Sequence, residues 1–147
     1  MSHRTQALVK IIDQHLHAVD KCYPVAATPV TLTADSSGTG WLEGAKTEIV
    51  PVNTITQAFD ITGVFVTASL ADDYEVVIYV GAAGSEIEVA RVAFSQTAAV
   101  DSFHLPCSTP VLAANERISG SVVSKTNSAI SPQSAYVKLQ FHEHDLD

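Results

Sequence analysis

Alternating apolar and polar positions dominate the chain from Val30 onward. The clearest case is Tyr74 to Phe94, YEVVIYVGAAGSEIEVARVAF, two runs dense in Val, Ile, Tyr and Phe around a Gly- and Ala-rich turn. Such residues suit a pleated, half-buried surface, so the segment predicts a β-hairpin. Setting Val80 opposite Glu86 places Tyr79 against Ile87, Val77 against Val89 and Glu75 against Arg91, an apolar ladder closed by an ion pair. At 135–143, Tyr136, Lys138, Gln140 and His142 alternate with Val137, Leu139 and Phe141, an inside–outside pattern of period two.

Further strands are predicted at 30–33, 47–52, 59–70, 100–106, 108–113 and 117–124. Pro51 marks an edge or a strand end, and Gly63 a candidate bulge. The stretch 34–40, ADSSGTG, reads as a loop, after which Trp41 and Leu42 are expected to re-enter the core. PVNTI (51–55) and AANERI (113–118) both place Asn shortly before Ile, which suggests two similar turns leading into strands. With no βαβ rhythm, about eight short strands predict an all-β antiparallel sandwich of jelly-roll type, with strand order open between that and an immunoglobulin-like arrangement.

The N-terminal segment has a different period. Leu8, Ile11, Ile12, His15, Leu16 and Val19 fall three and four apart, predicting an amphipathic helix over 3–21, with Ser2 as a cap and Pro24 ending it. PVAATP (24–29) then reads as extended linker, because the residue before each Pro is pushed out of the helical region. The expected organisation is an arm, 1–27, and a sandwich, 28–147. The stripe must be buried: on its own sandwich, against copies of itself, or on another protein. Leu8, Ile11, Ile12, Leu16 and Val19 are the candidate partner-binding residues.

Composition narrows the function classes. The chain is 147 residues long, 46% hydrophobic and only 16% charged, with a formal net charge of −8. One domain with a substantial core is expected, and the low charge suggests that partners cover part of the surface. The acidic balance disfavours nucleic acid, whose phosphates call for Lys and Arg, and anionic membranes. No secretory leader or bilayer-length apolar run is recognisable, which points to synthesis in a cytoplasm. Cys22 and Cys107 read as two packed thiols, with a single disulfide as the alternative.

Catalytic constellations are sparse. No GxSxG elbow occurs; Gly84-Ser85-Glu86 sits in the hairpin turn. Asp72-Asp73 reads as turn chemistry before a strand, and Glu86 and Glu88 as one solvated strand face. His142-x-His144 would place two imidazoles on one strand face, near Glu143 and Asp145, but a structural zinc wants about four ligands and no second cluster shows a recognisable spacing. Trp41 is either core or a sugar-stacking platform. The expectation is therefore no enzyme, no catalytic residue, no cofactor and no metal site.

Taken in order, VPVNTIT, FDITGVFV, DDYEVVIYVGAAGSEIEVARVAF, PVLAANERISGSVVS and YVKLQFHEH resemble small β-sandwich proteins encoded among the structural genes of tailed bacteriophages. The matching residues are Pro51, Asn53, Thr54, Ile55, Tyr74, Glu75, Tyr79, Gly81, Glu86, Ile87, Arg91, Val92, Ala114, Asn115, Arg117 and Ile118. The resemblance covers roughly 28–143 and not the N-terminal segment. It implies a virion component of head-decoration or cement type, on the capsid surface. Its partners would be the major capsid protein and copies of itself, with a trimer favoured and no catalytic residues. The other reading of the same residues is a carbohydrate- or receptor-binding module of a tail or fibre, which would use exposed aromatics such as Trp41, Tyr23 and Tyr136.

Overall fold

The computed structural model describes residues 20–26, 28–98 and 102–144. Nine strands run through them: β1 (Lys21–Tyr23), β2 (Val30–Thr33), β3 (Thr47–Val50), β4 (Ala58–Ala68), β5 (Asp72–Val80), β6 (Ile87–Gln96), β7 (Phe103–Pro106), β8 (Ile118–Ser124) and β9 (Ser134–His144). They form two antiparallel sheets, one ordered β1-β9-β4-β7 with β2 also on β9, the other β3-β8-β5-β6. β1 and β2 pair with successive stretches of β9, residues 139–141 and 134–137. Among the pairings, β2 meets β9, β3 meets β8, β4 meets β7 and β5 meets β6. That nesting is a long hairpin rolled onto itself, so the chain crosses repeatedly between the sheets.

The core lies between them. Val137, Leu139 and Phe141 of β9 and Phe59, Ile61, Val64 and Val66 of β4 face Tyr74, Val76 and Ile78 of β5 and Ile118 and Val122 of β8. Phe59 meets Phe141 edge-on at 6.1 Å, and Tyr74 stacks on Phe94 at 5.2 Å. β8 is buried along its whole length, which explains its small residues. A Cβ on Gly120 would stand 2.7 Å from Ile49 Cδ1 of the neighbouring strand β3, inside contact distance, so Gly there leaves room for the Ile49 side chain.

Several expectations change. The hairpin forms, but its register differs: Val80 opposes Ile87, Tyr79 opposes Glu88, and a bulge at Val89 shifts the rest so that Val77 opposes Arg91. Arg91 still reaches Glu75, diagonally, at 2.6 Å. The face bearing Val77 and Tyr79 is the outer one, where they form a small buried cluster with Val123. Trp41 and Leu42 are exposed rather than core, because the chain turns at Trp41 (φ 63°). Residues 108–113 are not a strand; they lie against the β4 bulge. There Thr109 Oγ1 accepts the Ile61 amide at 2.9 Å, and Leu112 pairs only with Phe59. Nine described strands replace about eight. The expected helix over 3–21 ends inside β1, since Lys21 is a strand residue; its residues 3–19 lie outside the described ones.

Other expectations hold. Pro51 ends β3, which is an edge strand. The β4 register shifts between Ile61 and Gly63. Asn53 and Asn115 both take positive φ (62° and 68°), and they are bonded together: the Asn53 amide donates to Asn115 O, and the Asn115 amide to Ile55 O. Asn is one of the few residues that tolerates this conformation. Cys22 and Cys107 are separate thiols.

Candidate functional site

Strand alternation assembles one cluster of metal-ligating side chains among the described residues. β9 directs Phe141 inward and His142 and His144 outward. β4 pairs with β9 so that Asp60 opposes His142, and Ala58 opposes His144. The Asp60 carboxylate therefore reaches both rings. Its Oδ1 lies 2.8 Å from His144 Nε2 and 3.6 Å from His142 Nδ1. The two rings meet edge-to-face at 4.7 Å. All three candidate ligand atoms lie within 4.8 Å of one another, and all three side chains are half-buried. The bulge after Ile61 sits beside this cluster, a place where bulges commonly re-aim side chains. His142 and His144 were visible in the sequence as a spaced pair. Asp60 was not, because it lies 84 residues from His144 along the chain.

Further along this outer face, His104 of β7 stacks on Phe65 at 4.5 Å and shares a 2.8 Å hydrogen bond with Gln140. Gln140 Nε2 in turn donates to Asp20 at 3.2 Å. Cys107 follows β7; burial and the nearby Asp60 charge push its thiol up, so it is a poor nucleophile.

On the opposite side of the β9 end lies a groove of about 440 Å³, lined by Lys21, Tyr23, Val25, Ile55, Phe141 and Glu143 among others. Lys21 Nζ and Glu143 are paired across it at 2.6 Å. The candidate partner-binding residues Leu8, Ile11, Ile12, Leu16 and Val19 lie outside the described residues.

A second polar cluster occupies the outer face of the β3-β8-β5-β6 sheet. The Tyr79 hydroxyl and Ser121 Oγ both donate to Glu43 Oε1, and Lys46 Nζ sits 4.5 Å over the Tyr79 ring. Burial, then the Glu43 bond and charge, push the Tyr79 phenol up to about 12. Burial pushes the Glu43 carboxyl up, but the Ser121 and Tyr79 bonds with the Lys46 and Arg91 charges outweigh it and hold the group below the usual carboxylate range. The cluster anchors the segment that carries Trp41, which is 52% exposed.

Glu86 is not the solvated strand residue expected. It precedes β6, accepts the Gly84 amide at 2.8 Å and lies 3.4 Å from Arg117. Asp72 and Asp73 are not turn residues before a strand, as expected, but the first two residues of β5, where they oppose Gln96 and Ser95 and Asp72 accepts from the buried Gln133.

No family model matches the chain, and no curated protein matches it. Similar solved structures include the infectious bursal disease virus VP2 subviral particle, at 14% identity and a TM-score of 0.42, covering 87% of this chain and 33% of that one. The infectious bursal disease virus Gx strain structure gives 14% identity and a TM-score of 0.41, covering 85% and 32%. The nucleoplasmin-like N-terminal domain of Drosophila FKBP39 gives 18% identity and a TM-score of 0.34, covering 88% and 92%. The chain thus spans about a third of the length of the viral chains it matches. At TM-scores this low, the likeness decides no role.

Proposed function

We propose that the chain is a virion structural protein: a jelly-roll subunit of head-decoration or cement type that binds the major capsid protein and stabilises the shell. The rolled-hairpin strand order supports the jelly roll, two four-strand sheets built from nested pairs, to which β1 adds an edge. The phage-protein resemblance across roughly 28–143 supports the virion role.

One observation carries the docking role. The turns 51–57, 81–86 and 107–117 gather at one end of the sandwich, tied by the bonds between Asn53, Ile55 and Asn115 and by the Gly81 amide donating to Arg117 O. On these turns and beside them, Val25, Val52, Ile87 and Val111 are exposed by 88, 53, 68 and 57%. Large aliphatic side chains gathered at one end suit burial between subunits. The same end carries β1, from which the N-terminal segment with Leu8, Ile11, Ile12, Leu16 and Val19 departs. The mechanism is burial of this surface across neighbouring capsid subunits, repeated over a symmetric lattice so that modest contacts add by avidity. It needs no catalytic group or cofactor, and a homotrimer is the favoured assembly.

The test is co-sedimentation of the purified chain with capsids that lack it. Saturable pelleting of the full chain, weakened when Val52 and Ile87 are both replaced by Asp, is expected. A chain beginning at Asp20 keeps β1 and should stay folded while losing pelleting. Failure of the full chain to pellet, or binding indifferent to all these changes, would contradict the role.

Exposure of Trp41 favours a second reading, a carbohydrate-binding module of a tail or fibre. A bulky side chain at φ 63° is a strained conformation that binding sites sometimes retain. Trp41 is the chain's single Trp, so quenching of its fluorescence by added glycans reports directly; an unquenched spectrum across a glycan panel removes this reading.

A further inference from the structure

We propose that Asp60, His142 and His144 form a binding site for one zinc ion, which clips β4 to β9 where their pairing ends. Zinc bonds of about 2.0–2.2 Å in a tetrahedral arrangement hold ligand atoms about 3.3–3.5 Å apart. The two separations from Asp60 Oδ1, 2.8 and 3.6 Å, bracket that spacing. To admit an ion, His144 Nε2 and the carboxylate part by about half an ångström and His142 closes slightly on the carboxylate, while the two histidine nitrogens, no more than 4.8 Å apart, settle to the same spacing. The ligand set is two imidazoles and a carboxylate, and it comes from two adjacent strands whose backbones are held by the β4–β9 ladder.

The donors also select the ion. Calcium and magnesium take six or more oxygens, or an octahedral oxygen shell, and two ring nitrogens serve them badly. Imidazole with one carboxylate suits zinc among the abundant divalent ions. Three protein ligands leave a fourth position, and the partial exposure of all three side chains opens it to solvent. Water, or a donor from an adjoining molecule, completes the shell. Cys107 is not a ligand, since its Sγ is directed to Ile61 O at 3.8 Å. The ion is held at the strand ends Ala58 and His144, beyond which the described ladder stops. The proposal stands whether or not the virion reading does.

The experiment is calorimetric titration of the chelator-treated full chain with zinc sulfate. One saturable site per chain is expected, with a dissociation constant on the order of micromolar. His144→Ala and Asp60→Asn should each weaken it by at least about tenfold. His104→Ala, on the same face but outside the cluster, should leave it unchanged. Circular dichroism verifies that each variant is folded; should Asp60→Asn unfold, His142→Gln supplies the second ligand test. Zinc should raise the melting temperature of the parent and of His104→Ala, but not of His144→Ala. Absence of saturable binding, equal competition by calcium, or a site that persists in both His144→Ala and the second ligand variant would overturn the proposal. The last outcome would assign the ion to other histidines of the chain.

Discussion

Replacing Asp72 with Asn tests whether one carboxylate organises the end of the sandwich opposite the exposed aliphatic turns. Gln133, Asp73 and both the amide and the hydroxyl of Thr126 converge on it. Gln133 Nε2 and the Thr126 amide reach Oδ2 at 2.6 and 3.0 Å, and the Asp73 amide reaches Oδ1 at 2.8 Å. Gln133 is buried and links onward to Ser124 Oγ, the Ser128 amide and the Tyr74 hydroxyl, while Ser124 Oγ meets Asn127 Oδ1. An Asn side chain offers one oxygen. In its better orientation it keeps the Oδ2 pair and turns its own NH2 against the Asp73 amide. One hydrogen bond is lost and the others lose their ionic character, a cost of about 1–3 kcal/mol. For a chain of this length, that lowers Tm by about 2–12 °C.

The pH dependence adds a second check. Burial pushes the Asp72 carboxyl up, but the bonds from Gln133, Asp73 and Thr126 outweigh it and hold it below its ordinary value of 3.8. A group whose folded value is depressed contributes stability above its unfolded value and loses it as pH falls through the folded one. Urea unfolding of parent and Asp72→Asn should therefore show a constant gap from pH 7 to 5 that narrows below about pH 3.8. A gap under about 0.5 kcal/mol at pH 7, the scatter expected of an uninvolved surface change, would refute the network. So would a gap that widens in acid.

Two further outcomes follow from other contacts of the fold. Spectrophotometric titration should reveal one tyrosine ionising at about 12, Tyr79, and Glu43→Gln should move that ionisation downward by removing the neighbouring charge. Because the folded value is raised, the phenol contributes stability that is full below pH 10 and lost as pH rises from 10 toward 12. Gly44→Ala should destabilise by about 1–3 kcal/mol or more in urea, because its Cβ would fall 2.1 Å from the Thr33 carbonyl oxygen, where the edges of the two sheets close on each other; an unchanged midpoint would show that the edges are free to part.

The strands were legible wherever one face was apolar and the other polar. β9 is the clean case, with Val137, Leu139 and Phe141 inside and Tyr136, Lys138 and Gln140 outside. β5 was found but misread in register. Val76, Val77, Ile78 and Tyr79 are buried on both faces, so alternation does not say which face is the core. The bulge at Val89 moves the pairing without leaving a Gly or Pro as a mark. Apolarity misled at Trp41 and Leu42, since a turn with positive φ carries them outward whatever their hydropathy. Residues 108–113 were expected as a strand, but their backbone bonds go to the bulged β4 edge one at a time, which residue alternation does not reveal. Asn53 and Asn115 were recognised as alike, but their mutual hydrogen bonds depend on the roll of the sheets. The candidate metal cluster was half visible for the same reason: local spacing places two histidines on one strand, while the proposed third ligand depends on which strand lies beside it.

The most direct test of the proposed virion role is the copy number of this chain, by quantitative mass spectrometry against the major capsid protein, in purified, mature particles whose genome carries its coding sequence. The account predicts a fixed stoichiometry matching one class of lattice site, in multiples of three for a trimer, and its loss from particles carrying the variant with Asp at both 52 and 87. Absence of the chain from mature particles, or a copy number unrelated to the capsid lattice, would contradict it.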